Sequence, residues 1–387
     1  MKLNKSIPIL LFMFSVVELF AQKKTSAHTW QIAGELPPLD GQLVSPGVAG
    51  PVTGVANNKI FVAGGANFPD NMPWQGGKKR YYNNIFVFTK RNKQLIGLKG
   101  NFKLPENIAY TANCTTPKGV FFAGGENESG ISDKAFLLQW DDASKTVVFK
   151  QLPNLPFAVT NAAATFCDNI VFVAGGESYT TVSNKCWSLN LNNTESGWKE
   201  LADLPKPVSH SVLVAIKKGG YINLYLAGGR KRNQGGVSEF YNSVYEFNTS
   251  IKEWKELSPL PYALSAGTGI TVGNSGFILF GGDRGTTFCK VEEYIAAITK
   301  TTNEQEKEQL IQQKNKLLAA HPGFSKEILL YDITTGKCKP SGVLPYQTPV
   351  TTTALLWDKD VYIPCGEIKA GVRTPKILMA KIKRWLK

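Results

Sequence analysis

The sequence predicts an all-β fold, a ring of six four-stranded blades, on three observations. A glycine pair closes an apolar strand five times, with a sixth, degenerate copy. A Leu-Pro pair recurs in step with it. In a chain of 387 residues, glycine (36 residues) and aromatics (11%) are plentiful while charged residues are few (19%). That composition suits many short strands joined by tight turns, with helix as the minor component.

The glycine pairs are Gly64-Gly65 (IFVAGG), Gly124-Gly125 (VFFAGG), Gly175-Gly176 (VFVAGG), Gly228-Gly229 (LYLAGG) and Gly281-Gly282 (FILFGG), with Cys365-Gly366 in VYIPCG as the sixth copy. They lie 60, 51, 53, 53 and 84 residues apart, a blade-sized repeat with an insertion in the last interval. Glycine is required where the chain turns beside the central channel, because a Cβ there would crowd the next blade. The loss of one glycine at Cys365 is expected to alter that turn.

The Leu-Pro landmarks are Leu36-Pro37, Leu104-Pro105, Leu155-Pro156, Leu204-Pro205, Leu260-Pro261 and Leu344-Pro345. Six positions before each leucine stands Trp30, Leu98, Phe149, Trp198, Trp254 or Cys338. A tryptophan there can pin an outer strand onto its blade by burying a large ring. One strand before each glycine strand and another after it (YNNIFVF, KAFLLQW, KCWSLNL, NSVYEFN, EILLYDI, PKILMAKI) bring the repeat to four strands. Six such repeats make a six-bladed β-propeller of the Kelch type. The unit of Trp30, Leu36 and Pro37 has no glycine pair before it, so the N-terminal strand is expected to close the sixth blade and remove an exposed edge.

The insertion, about 291–320 in the fifth blade, has helical chemistry. Val291, Tyr294, Ile295 and Ile298 share one face, and Leu310, Ile311, Leu317 and Leu318 another. Thr302 or Asn303 ahead of Glu306 marks a cap between two helices. The insertion reads either as a peripheral decoration or homodimer contact, or as a lid beside the channel mouth.

Lys2 and Lys5 precede an apolar run from Ile7 to Phe20, with Ala21 at its end. This is the order of a secretory signal peptide over 1–21, too short to span a membrane as a mature helix, followed by one domain over 22–387. The mature protein is expected to be soluble, in the periplasm or secreted. Six dispersed cysteines read as mostly buried thiols, and the histidines His28, His210 and His321 have no second ligand at metal-binding spacing. Neither a metal nor a cofactor is expected. The net charge of +14 is compatible with an anionic ligand such as an acidic sugar or with simple solubility, and lysines spread over loops argue against nucleic acid.

Loops after the glycine strands converge on one end of a propeller's channel. The first residues of those loops are Ala66, Glu126, Glu177, Arg230, Asp283 and Glu367, five of them ionisable. By position, Arg230 and Arg284 are candidate substrate-binding residues. In CGEIKAGVRTPKI, Glu367 and Arg373 bracket a short loop with Gly371. A carboxylate beside a guanidinium can combine proton transfer with anchorage of an anionic group.

The element GEIKAGVRT, the Kelch repeats, the insertion after the fifth glycine pair and the stretch GGANFPDNMPWQGGKKRYYNNIFVF resemble the bacterial sialic-acid mutarotases (N-acetylneuraminate epimerases), in their cyclically permuted branch. The resemblance covers nearly all of 22–387 and implies interconversion of the α and β anomers of N-acetylneuraminate, with no cofactor. It implies Glu367 as the acid-base group and Arg373 as a catalytic residue that also grips the substrate carboxylate. Kelch rings also serve as non-catalytic glycan-binding or scaffold modules, and that alternative stays open here. A sialidase would carry repeated Asp-box turns, which the sequence lacks, and a copper oxidase would need a Tyr, His and Cys cluster at the channel, against which the three dispersed histidines argue.

Overall fold

The computed structural model describes residues 29–39 and 42–381; the expected signal segment lies outside them. Six antiparallel sheets follow one another around the ring, five of four strands and the first with a short fifth strand, Phe102–Lys103. Blade 1 runs Val52–Ala56, Lys59–Ala63, Asn84–Arg91 and Gln94–Gly97, from the channel outward. Blades 2 to 5 repeat this order. Blade 6 contains Leu355–Trp357, Asp360–Pro364 and Lys376–Lys381, and its outermost strand is the N-terminal Trp30–Glu35. Trp30 pairs with Ala380 and Glu35 with Lys376, so the expected closure is realised.

Apolar residues from adjacent blades interdigitate. Ile278, Phe280 and Ile328 of blade 5 meet Val361, Ile363 and Leu378 of blade 6. The tryptophans reach further than their own blade. Trp30 packs edge-on against Phe280, and the indole N–H groups of Trp198 and Trp254 donate to the carbonyls of Pro153 and Ala202, each in the preceding blade's segment. The neighbouring blade thus supplies the acceptor for these two half-buried indoles, whereas the buried Trp30 indole nitrogen has no hydrogen-bond partner among the described residues.

The glycine turns behave as their spacing predicts. A Cβ at Gly228 (φ +62°) would sit 2.2 Å from the carbonyl oxygen of Leu264, in the segment entering the next blade. Cys365 departs from expectation: at φ +53° it adopts the same left-handed conformation, so the turn leading to Glu367 is kept despite the missing glycine.

At the channel mouth, six left-handed residues form a closed backbone ring. Gly50, Tyr110, Asn161, His210, Ala266 and Thr351 have φ between +49° and +64°. Each donates its N–H to the carbonyl of its predecessor around the ring, and Gly50 donates to Thr351, at 2.7–3.0 Å. Directly above, the residue after each glycine pair exchanges two backbone hydrogen bonds with the residue before the ring position, as Glu367 does with Val350. The six loops therefore leave the ring from equivalent positions.

The insertion forms two helices, α1 (Thr286–Lys300) and α2 (Glu304–Ala319). Asn303 caps α2, its side chain accepting from the N–H groups of Gln305 and Glu306, as expected. Helix α1 begins five residues earlier than its apolar periodicity indicates, because its N-cap is Gly285, which offers no side-chain signal. No helix among the described residues is long and apolar enough to cross a membrane.

Candidate active site

Between the ring and the helical insertion lies a cavity of about 250 Å³. Its polar end presents Glu367, Asp283, Arg230, His210 and His321, and the two helices roof it. A second cavity of about 330 Å³ fills the channel itself, lined largely by threonines and small residues of the inner strands. The cavities share His210, Ala266 and Thr351, all members of the backbone ring.

Glu367 and Arg373 face each other across a ribbon made by Glu367–Lys369 and Val372–Arg373. Arg373 Nη1 lies 3.4 Å from Glu367 Oε1, and the same oxygen accepts the Gly371 N–H at 2.7 Å. The Arg373 side chain is only 5% exposed and its guanidinium stacks 4.8 Å from the Phe68 ring. It is not among the cavity-lining residues, so in this structure its guanidinium is engaged with Glu367 and Phe68. Its Nε and Nη1 are buried without a hydrogen-bond partner among the described residues.

Arg230 does line the cavity. Its Nη2 is 3.4 Å from Glu177 Oε1, its Nη1 donates to Ser238 Oγ, and its guanidinium lies 4.8 Å from the Phe288 ring of α1. Glu177 also accepts from Asn161 Nδ2 and lies 3.7 Å from His210 Nδ1. Burial pushes the His210 imidazole well below its usual value, helped by the positive charges of Arg230 and Lys79, so the ring is neutral near pH 7.

Asp283 occupies on blade 5 the position that Glu367 occupies on blade 6. Its Oδ1 accepts the Gly285 N–H at 2.9 Å. Burial raises its carboxyl above the usual carboxylate range, opposed by that N–H and by Arg230. His321, at the end of α2, accepts the Gly323 N–H on Nδ1 at 3.0 Å, which in the neutral ring leaves the proton on Nε2. Burial lowers its pKa, and the charge of Glu367 partly counters this.

Arg284 stands apart from this group. The left-handed Gly285 that starts α1 turns it outward, where Nη2 binds Glu327 Oε2 at 2.9 Å and the guanidinium stacks 3.7 Å from the Tyr262 ring. Of the four residues singled out in the sequence, the structure thus brings Glu367 and Arg230 to the cavity, sets Arg373 behind Glu367, and takes Arg284 away. His210, His321 and the apolar wall carried no spacing signal, since they converge only through packing. Among the described residues, no three His, Cys, Asp or Glu side chains lie together as a metal site, and the six cysteines are free thiols.

Comparison with known proteins agrees with the resemblance carried by the Gly366 to Thr374 element. The family model described as N-acetylneuraminate epimerase matches residues 152–385, a stretch that includes Arg230, Asp283, Glu367 and Arg373. Among curated relatives, the N-acetylneuraminate epimerase of Pasteurella multocida is 26% identical over 234 residues, 60% of this chain and 59% of the relative. That of Brucella melitensis is 25% identical over 235 residues (60% and 59%), and that of Haemophilus influenzae 24% over 230 residues (59% and 59%). Each match spans less than two thirds of the relative's length. With the family model covering more than half of the sequence, the chain belongs to the N-acetylneuraminate epimerase family.

Proposed function

We propose that this protein interconverts the α and β anomers of N-acetylneuraminate or a close relative. The observation that carries the reading is the pair of carboxyl groups, Glu367 and Asp283, at equivalent positions of adjacent blades and facing one roofed cavity with Arg230. Ring opening of a cyclic 2-keto acid needs a base for the anomeric hydroxyl and an acid for the ring oxygen. Glu367 as carboxylate takes the hydroxyl proton while protonated Asp283 gives its proton to the ring oxygen. The bond between C2 and the ring oxygen breaks and C2 becomes a ketone.

After rotation about the bond from C2 to C3, the same two groups return their protons. Asp283 takes one from the C6 hydroxyl, Glu367 gives one to the carbonyl oxygen, and the ring closes on the opposite face. The raised pKa of Asp283 suits the acid role. Arg230, buried and presented to the cavity, suits a bidentate grip on the sugar carboxylate. Arg373 holds Glu367 in place through their ion pair.

The test is NMR of freshly released α-N-acetylneuraminate with and without the purified protein. Faster decay of the α signal that is lost in Glu367→Gln is expected. Equal decay with and without protein would overturn the reading in favour of a binding propeller.

A further inference from the structure

One wall of the cavity is apolar. Phe288 and Val291 project from α1, Leu318 from α2, Phe324 from the segment after it, and Phe240 from the blade 4 loop. This wall is not part of the propeller core. Neither helix has a fully buried residue, and none of the five side chains belongs to the six apolar clusters between blades. Protein interiors do not leave spaces of this size unfilled, so apolar side chains converging on an open cavity are shaped for an occupant.

The wall is also held in place. Glu292 of α1 accepts two hydrogen bonds from Ser238, from its N–H at 2.7 Å and its Oγ at 2.8 Å. Gly285 allows Phe240 to lie over the start of α1, where a Cβ would approach its ring to 2.8 Å. Two donors border this surface: Arg230, whose guanidinium lies 4.8 Å from the Phe288 ring, and His321, which with Nδ1 satisfied by Gly323 offers Nε2–H. With Arg230 assigned to the sugar carboxylate, the apolar wall beside the His321 donor matches a short acyl amide, whose methyl needs apolar contact and whose carbonyl needs a hydrogen bond.

We propose that the helical insertion forms a subsite for the N-acyl group of the sugar, with Phe288, Val291, Leu318 and Phe324 around the methyl and His321 donating to the acyl carbonyl. This rests on the mutarotase reading for the identity of the sugar, while the subsite itself is read by binding. The insertion is then a specificity device that selects a methyl-terminated acyl group over a hydroxylated one.

The experiment compares N-acetylneuraminate with N-glycolylneuraminate, which differ by one hydroxyl on the acyl group. Titration calorimetry measures affinity, and NMR measures acceleration of anomer exchange, for the wild type and for Val291→Thr, a near-isosteric change that adds a hydroxyl to the wall. The expected result is about tenfold or more tighter binding of the N-acetyl sugar by the wild type, from the cost of placing a hydroxyl in an apolar recess. In Val291→Thr that ratio narrows by about threefold or more. Thermal melting confirms that the variant is folded, and Leu318→Thr serves in its place should it not be.

Equal affinity for the two sugars, or a ratio unchanged in the folded variant, overturns the subsite. A clear affinity preference without acceleration of either sugar leaves the subsite standing and removes the mutarotase reading. Acceleration without preference does the reverse, and absence of binding to either sugar overturns both.

Discussion

Arg373 is paired directly opposite Glu367 in the blade 6 ribbon, with 3.4 Å between Nη1 and Oε1. The Gly371 N–H holds the same oxygen, and a Cβ at Gly371 would collide with Pro73 of the blade 1 loop. The carboxylate is therefore fixed from two sides, by its own loop and by the arginine, and that loop packs against the neighbouring blade. This is the preorganisation that a proton-transfer group needs.

From that arrangement, Glu367→Gln is expected to lower the rate of anomer exchange by about 10²-fold or more while leaving sugar affinity within a few-fold. Arg373→Lys keeps the charge but loses the planar contact with Phe68. It is expected to cost about tenfold in kcat with little change in KM. A large loss of affinity in Arg373→Lys, measured by calorimetry, would instead assign Arg373 to the substrate carboxylate.

Asp283→Asn separates a structural role from a chemical one. The amide oxygen still accepts the Gly285 N–H, so the start of α1 is preserved. Proton donation is lost, and a drop of about 10²-fold in kcat is expected. Because burial raises the folded-state pKa of Asp283, its acid form persists above the ordinary carboxylate range, and wild-type activity falls as pH rises through that raised value. The stability sign follows. Asp283 favours the folded state most at low pH, and this contribution is lost as pH rises through the folded pKa. Asp283→Asn should therefore be the more stable protein at neutral pH, with the gap closing on acidification. Denaturation at two pH values checks both signs.

The blades were legible in the sequence because their turns impose a local requirement, a left-handed backbone with no room for a Cβ, and glycine answers it visibly. Cys365 shows that the requirement can be met without the signal: its backbone has the glycine conformation although its residue type predicts otherwise. Glu367 was legible for the same local reason, being fixed relative to that turn. Arg284 was not, since its direction is decided by the left-handed Gly285 that starts a helix without a capping side chain. The cavity wall was invisible because Phe240, Phe288 and Phe324 meet only when the insertion folds over blade 4.

Thr351 tests the backbone ring. It is the β-branched member, held at φ +49°, where such side chains are strained. Asparagine tolerates that conformation, so Thr351→Asn is expected to raise stability by about 1 kcal/mol. The unfolding midpoint in urea measures it. A lower midpoint would mean that the hydroxyl, which donates to the Val350 carbonyl at 2.7 Å, contributes more than the backbone strain costs.

The clasp between Glu292 and Ser238 governs how firmly the roof is held over the site. Glu292→Ala removes two hydrogen bonds to a carboxylate, a loss of roughly 2–3 kcal/mol locally. The propeller core lies elsewhere, so global unfolding should shift little while α1 opens more often. Two consequences are expected together. Limited proteolysis at the exposed junction around Asn303 becomes faster by about tenfold, and KM for the sugar rises several-fold with a smaller change in kcat, since the wall contributes binding rather than proton transfer. Proteolysis without a change in KM would show that the roof opens independently of substrate binding. An unchanged proteolysis rate would show that the contact between α2 and the Pro73–Gln75 turn holds the insertion without the clasp.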